Sequence, residues 1–133
     1  MNTLTGTISA IDSDGSLCLV DIEVAGQRTM SALVVETPGQ CPWLRQDNKV
    51  QVLFKETEVS IARNLSGEIS LRNRLDAAIT DIRSEGMLAE ISLDFAGQQI
   101  VSIITSRSAK RMALQVGDGV EWLVKANEIS LSG

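Results

Sequence analysis

The chain has no histidine and no tyrosine. The first absence excludes imidazole acid–base catalysis, histidine metal ligation and serine–histidine nucleophile activation, and most familiar enzyme classes go with them. Aspartate and glutamate are plentiful, but nothing pairs them into a recognisable acid–base site, so the sequence reads as a binder and not an enzyme. Aromatics are scarce: Trp43, Phe54, Phe95 and Trp122 are a poor supply for the stacking platform that single-strand binders need. A net charge of −5 further disfavours general binding to nucleic acid or to anionic membranes. No apolar run approaches the roughly 18–20 residues that span a bilayer, and the opening Met1-Asn2-Thr3-Leu4-Thr5-Gly6 carries neither a basic nor an apolar leader segment. A soluble, cytoplasmic chain is expected. Cys18 and Cys41 lie far apart and form no Cys-x-x-Cys pair, which fits two half-buried thiols in a reducing compartment.

The chain does contain an internal repeat. A shift of 71 residues lays Leu4 on Leu75, Ile8 on Ile79, Gly15 on Gly86, Leu17 on Leu88, Ala25-Gly26-Gln27 on Ala96-Gly97-Gln98 and Ser31 on Ser102. One extra residue in the first copy, placed between Glu36 and Asn48, turns the offset to 70, and Leu44 then meets Leu114, Val50 meets Val120, Lys55 meets Lys125 and Ser60 meets Ser130. Matches this dense mark a duplication, with modules at 1–66 and 67–133.

Both copies are strand-like. Short β-rich runs, Thr7 to Ile11 and Ala78 to Ile82, close at Asp12-Ser13-Asp14-Gly15 and Arg83-Ser84-Glu85-Gly86. Alternating hairpins follow, Leu17–Val24 with Thr29–Val35 and Leu88–Phe95 with Ile100–Thr105, and then two final strands in each copy. After the third strand, the second copy has a serine and good helix formers, Ser106 to Leu114, whereas the first has Pro38, Gly39 and Pro42, which predict an irregular loop. The expected fold is all-β: two tandem OB-like five-stranded β-barrel modules, each with at most one short helix.

The segment Ser70-x-Arg72-Asn73, the hairpin at Gly97, Ile104-Thr105-Ser106-Arg107-Ser108, the turn Val116-Gly117-Asp118 and Lys125-Ala126-Asn127-Glu128 follow one another in an order that resembles the Mop module. Mop modules, or molbindins, belong to the TOBE family, and the tandem arrangement is similar to two-module molbindins. The resemblance implies a cytoplasmic protein that binds molybdate or tungstate for storage, buffering or homeostasis. It implies Ser70, Arg72 and Asn73 at the anion from one subunit, and Thr105, Ser108 and Lys125 from a neighbour in a homo-oligomer, expected to be a trimer. A sensor that passes its state to a protein partner, such as a transporter or regulator, is the alternative; the chain lacks a G-x-x-x-x-G-K-[ST] motif, so it would act in trans.

The chemistry is consistent. Tetrahedral dianions accept hydrogen bonds and donate none, so their pocket must offer donors only: an arginine fork, a lysine charge, rotatable hydroxyls. Plainer roles stand beside these: Thr105 and Ser108 as helix caps, Lys125 as a solvated edge lysine. The first module departs from the pattern. It keeps Lys55, but no Ser-x-Arg-Asn leads it, Val34 replaces the threonine and Thr37 stands where Ser108 would be, leaving Lys55 and Thr37 as a possible second site. Residues 1–69 hold nine acidic and five basic side chains and residues 70–133 eight and seven, so the half with the motif repels a dianion less.

Overall fold

Period-two burial decides the strands. From Leu17 to Val24 the side chains of Cys18, Val20, Ile22 and Val24 are buried while their neighbours are more exposed, and from Leu88 to Phe95 Ala89, Ile91, Leu93 and Phe95 are buried likewise, with Ser92 the one intervening residue also covered. The computed structural model describes residues 1–133. Ten strands and one helix follow in order: β1 (Asn2–Asp14), β2 (Leu17–Val24), β3 (Arg28–Val35), β4 (Lys49–Phe54), β5 (Ser60–Ala62), β6 (Asn73–Glu85), β7 (Leu88–Phe95), β8 (Gln98–Thr105), α1 (Ser106–Arg111), β9 (Gly119–Val124) and β10 (Ser130–Ser132). The all-β, two-module expectation holds, with α1 in the second module only and a 3-10 turn at Pro38–Gln40 in its place in the first. No helix is long and apolar enough to cross a membrane.

β1 and β6 are longer than the sequence suggested. The residues read as turns, Asp12 to Asp14 and Arg83 to Glu85, continue the ladder to Asp14 opposite Leu17 and Glu85 opposite Leu88. Each long strand serves two partners: β1 pairs with β4 over Asn2–Thr7 and with β2 beyond, and β6 does likewise with β9 and β7. A bulge marks the changeover, between Ile8 and Ala10 and between Ile79 and Asp81. The hydroxyls of Ser9 and Thr80 donate across it to the carbonyls of Asp21 and Ser92, both at 3.2 Å. Such bulges bend a strand and let one sheet curl.

The two five-stranded sheets run β10-β4-β1-β2-β3 and β5-β9-β6-β7-β8. The fifth strand of each repeat therefore belongs to the other repeat's sheet: Ser130 lies opposite Leu53, and Ser60 opposite Leu123. Val59 and Ile129, just before these strands, are buried, and the Ser102 hydroxyl donates to the Val59 carbonyl at 2.6 Å. A single apolar cluster draws on both repeats. At its seam Phe54 of the first repeat stacks on Trp122 of the second, with ring centroids 5.5 Å apart, and Phe95 meets the same indole edge-on at 5.3 Å.

The pairing register also relocates the one-residue difference between the repeats. Val24 pairs with Arg28 around a three-residue turn, whereas Phe95 pairs with Gln98 around Ala96-Gly97. The extra residue sits in this hairpin and not between Glu36 and Asn48, so the offset is 70 from β3 onward. Leu17 opposite Val35 matches Leu88 opposite Thr105. Val35, not Val34, thus occupies the threonine's place, and Pro38, not Thr37, occupies that of Ser108.

Gly6 faces a crowded neighbour strand: a β-carbon there would lie 2.3 Å from Ile22 Cγ2 and 2.8 Å from the Glu23 carbonyl oxygen. Gly6→Ala is expected to lower stability by about 1–3 kcal/mol, read by urea unfolding, because overpacking forces backbone to shift; an unchanged midpoint would contradict this packing. Cys18 is fully buried and donates to the Glu36 carbonyl at 3.1 Å, and burial, then the Glu36 charge, pushes its thiol above the usual range. Folding stability from this thiol is full below the unfolded thiol's pKa and is lost as pH rises through the folded value. At pH 8 Cys18 should resist iodoacetamide in the folded chain and react once guanidinium is added; equal labelling rates would contradict the burial.

Candidate functional site

The segment between β5 and β6 delivers Ser70 and Arg72, both exposed, to the start of β6. Asn73 opens the strand opposite Val124, so Arg72 and Lys125 each stand one residue past the last register pair, at the same end of the same sheet. Neither Arg72 nor Lys125 makes an ion pair or side-chain hydrogen bond, and the same is true of Lys55. Four other arginines are committed, whereas Arg45, Arg107 and Arg111 are, like Arg72, without a side-chain partner. Arg28 pairs with Asp76 at 3.2 Å, Arg63 with Asp118 at 3.1 Å, and Arg83 with Asp81 at 3.1 Å. Arg74 grips both oxygens of Glu121, a hydrogen-bonded pair that pushes its guanidinium pKa up.

The side chain of Asn73 has no donor left over for an anion within this chain. Its side chain is fully buried, its oxygen accepts from the Ser31 amide at 2.7 Å, and its nitrogen donates to the carbonyls of Ser31 and Val124, both at 2.9 Å. An asparagine amide has two N–H donors, and both are spent inside the chain. It ties the second repeat's first strand to the first repeat's third. Asn2, 71 residues earlier, does the matching job, taking the amide and carbonyl of Val101 at 2.8 Å each.

Thr105 and Ser108 lie elsewhere. Thr105 is the N-cap of α1: its Oγ1 accepts from the Ser108 amide at 3.1 Å and donates to the Ser108 hydroxyl at 3.0 Å. Thr105 pairs with Leu88, beside the far end of β6, so the 13 residues of β6 separate this pair from Arg72 and Lys125 along the sheet. Within one chain, then, the β6–β9 ladder stands Lys125 beside Arg72 and apart from Thr105 and Ser108. Lys55 and Thr37, read together from sequence, also sit on different elements, after β4 and after β3.

Two residues outside the sequence reading share a groove with Thr105. Arg107 and Lys110, three apart on one face of α1, line an open depression of about 600 Å³ together with Met87 and Leu88, two apolar residues left exposed. That helical spacing was the available signal.

Residues 69–131 match the family model of the TOBE domain. The molybdenum import ATP-binding protein ModC of Brucella suis biovar 1 (strain 1330) is 36% identical over 124 residues, 92% of this chain and 32% of that protein. ModC of Aliivibrio fischeri (strain ATCC 700601 / ES114) is 25% identical over 131 residues, 97% of this chain and 34% of that protein. The chain thus spans about a third of the length of these curated relatives. Among solved structures, the cytoplasmic molybdate-binding protein ModG, crystallised with molybdate bound, superimposes with a TM-score of 0.90 over 98% of this chain and 94% of that one, at 23% identity, a likeness of fold.

Proposed function

We propose, from the match of residues 69–131 to the TOBE domain model, that this chain is a cytoplasmic oxyanion-binding protein that takes up molybdate or tungstate for storage or buffering. The observation that carries this reading is the set of cationic donors held without any acceptor of their own, Arg72 and Lys125 at one end of a sheet, in a chain whose arginines elsewhere on the sheets hold carboxylates. Ser70 joins this cluster, and Thr105 with Ser108 forms a hydroxyl cluster apart from it. A dianion that only accepts hydrogen bonds is the ligand such clusters suit. Relatives named for molybdenum import and a similar fold solved with molybdate support the same chemistry. Assembly into a homo-oligomer, a trimer on the family resemblance, would close these exposed clusters against neighbouring chains.

Native mass spectrometry with molybdate, tungstate, sulfate and phosphate added in turn tests this. Retention of the two metal oxides at micromolar concentration, with sulfate and phosphate displaced, is expected; indifference to all four would refute the reading. A second reading is favoured by the match to transporter ATP-binding proteins: an oxyanion-responsive module that acts on a protein partner. A partner captured with molybdate and lost without it would favour that role over storage.

A further inference from the structure

A helix of six residues does not hold itself in place, since isolated helices shorter than about 12–15 residues are marginal in water. The position of α1 therefore comes from what grips it. Its first residue, Ser106, is tied to the turn between β6 and β7: the amide donates to the Met87 carbonyl at 2.8 Å and the hydroxyl to the Gly86 carbonyl at 3.0 Å. Ala109 is buried beneath its middle. The far end is gripped by a residue of the other repeat. Arg63 follows β5, the strand that the first repeat contributes to the second sheet. One terminal nitrogen of its guanidinium donates to the carbonyl of Met112, the C-cap of α1, and the other donates to Asp118 at 3.1 Å.

This grip suits the chemistry of a helix end. The last carbonyls of a helix have no partner within it, and a cation beside them is favoured by the helix dipole. Met112 also donates its amide to the Ser108 carbonyl at 3.0 Å, so the residue that Arg63 holds is bonded directly to Ser108. The Asp118 oxygen that takes Arg63 accepts the Gln115 amide as well, at 2.9 Å, which fixes the turn after α1. An arginine fork spans both acceptors at once, as a lysine ammonium, a single point charge, does not. The repeat offset of 70 sets Gly133 after β10 where Arg63 stands after β5, and a β-carbon at Gly133 would collide with the Trp43 side chain in the first repeat's loop. In both repeats, then, the residue after the exchanged strand closes on the segment that follows the third strand. Only Arg63 brings a charge and two hydrogen bonds to it.

We infer that Arg63 is a positioning residue for oxyanion binding: it clamps the C-terminal end of α1 and so fixes the direction in which Thr105 and Ser108 present their hydroxyls. This rests on the oxyanion-binding reading and deepens it. The Thr105 hydroxyl is bonded to the amide and the hydroxyl of Ser108, so the pair moves with the helix as one unit. Both terminal nitrogens of Arg63 are spent within the chain, so its effect on an anion passes through α1 and not through a contact of its own.

The test uses the full chain with Arg63→Gln and Arg63→Lys, read by amide hydrogen exchange without anion and by calorimetric titration with molybdate. In Arg63→Gln the amides of residues 106–112 should exchange faster while those of β6 and β7 keep their rates, and affinity should fall by about fivefold or more. That loss should be smaller when Ser108→Ala is already present, and as large as in the wild type beside Arg72→Ala. Arg63→Lys keeps the charge but not the fork, and should recover the affinity only in part. Wild-type affinity in Arg63→Lys would make the effect one of charge alone and overturn the assignment. Equal losses in the Ser108→Ala and Arg72→Ala backgrounds, or unchanged exchange over 106–112, would overturn it too. Loss of the folded circular dichroism spectrum in Arg63→Lys would make Arg63 a residue of the fold, with the same consequence. A wild-type chain that binds no molybdate overturns the oxyanion reading and this inference with it; unchanged affinity in Arg63→Gln beside a binding wild type overturns the inference alone.

Discussion

Asn73→Leu should cost roughly 3 kcal/mol or more of folding stability, because it strands a buried amide and two buried carbonyls whose loss of partners costs about 1–3 kcal/mol each. The side chain is fully buried and spans the two repeats, bonding Ser31 on one and Val124 on the other. Leucine is close in volume, so the loss comes from the unpaired groups and not from a cavity. Asn2→Leu removes two such bonds instead of three and should cost less. Urea unfolding of both variants measures this. An Asn73→Leu midpoint within experimental error of wild type would mean that Asn73 is not what fastens the repeats, and would return it to the anion site.

The second large effect concerns binding. Arg72→Ala and Lys125→Ala should each weaken molybdate affinity at least tenfold, since a charged donor contributes about 1.5–3 kcal/mol. Together they should weaken it a hundredfold or more, with some departure from additivity because the two positions are neighbours. Neither residue is buried or bonded within the chain, so unfolding midpoints should stay at the wild-type value. That contrast separates the pair from Asn73, one residue away.

Much of the fold was legible because burial alternates along β2 and, Ser92 aside, along β7 as the apolar residues do, and because prolines at 38 and 42 bar the helix that Ser106–Arg111 forms. The exchange of β5 and β10 was not legible. β4 and β9 carry the same apolar rhythm, so either edge satisfies either short strand, and only the chain path chooses. The hairpin insertion was hidden by a chance match, Gln27 with Gln98, that drew the alignment one residue out of register. Asn73 was read as a donor because it ends a short polar motif. Its counterpart Asn2, at the same repeat offset, was the sign that the pair serves the fold. For the site, sequence singled out the donor types but not their grouping, since Arg72 and Lys125 are brought to one sheet end only by the β6–β9 register, which joins residues some fifty positions apart.

Calorimetric titration of molybdate into the wild-type chain and Arg72→Ala, side by side, tests the central claim most directly. Saturable heat in the wild type at micromolar concentration and a curve shifted at least tenfold in the variant is the predicted result. No heat in the wild type, or superimposable curves for the two proteins, would contradict it.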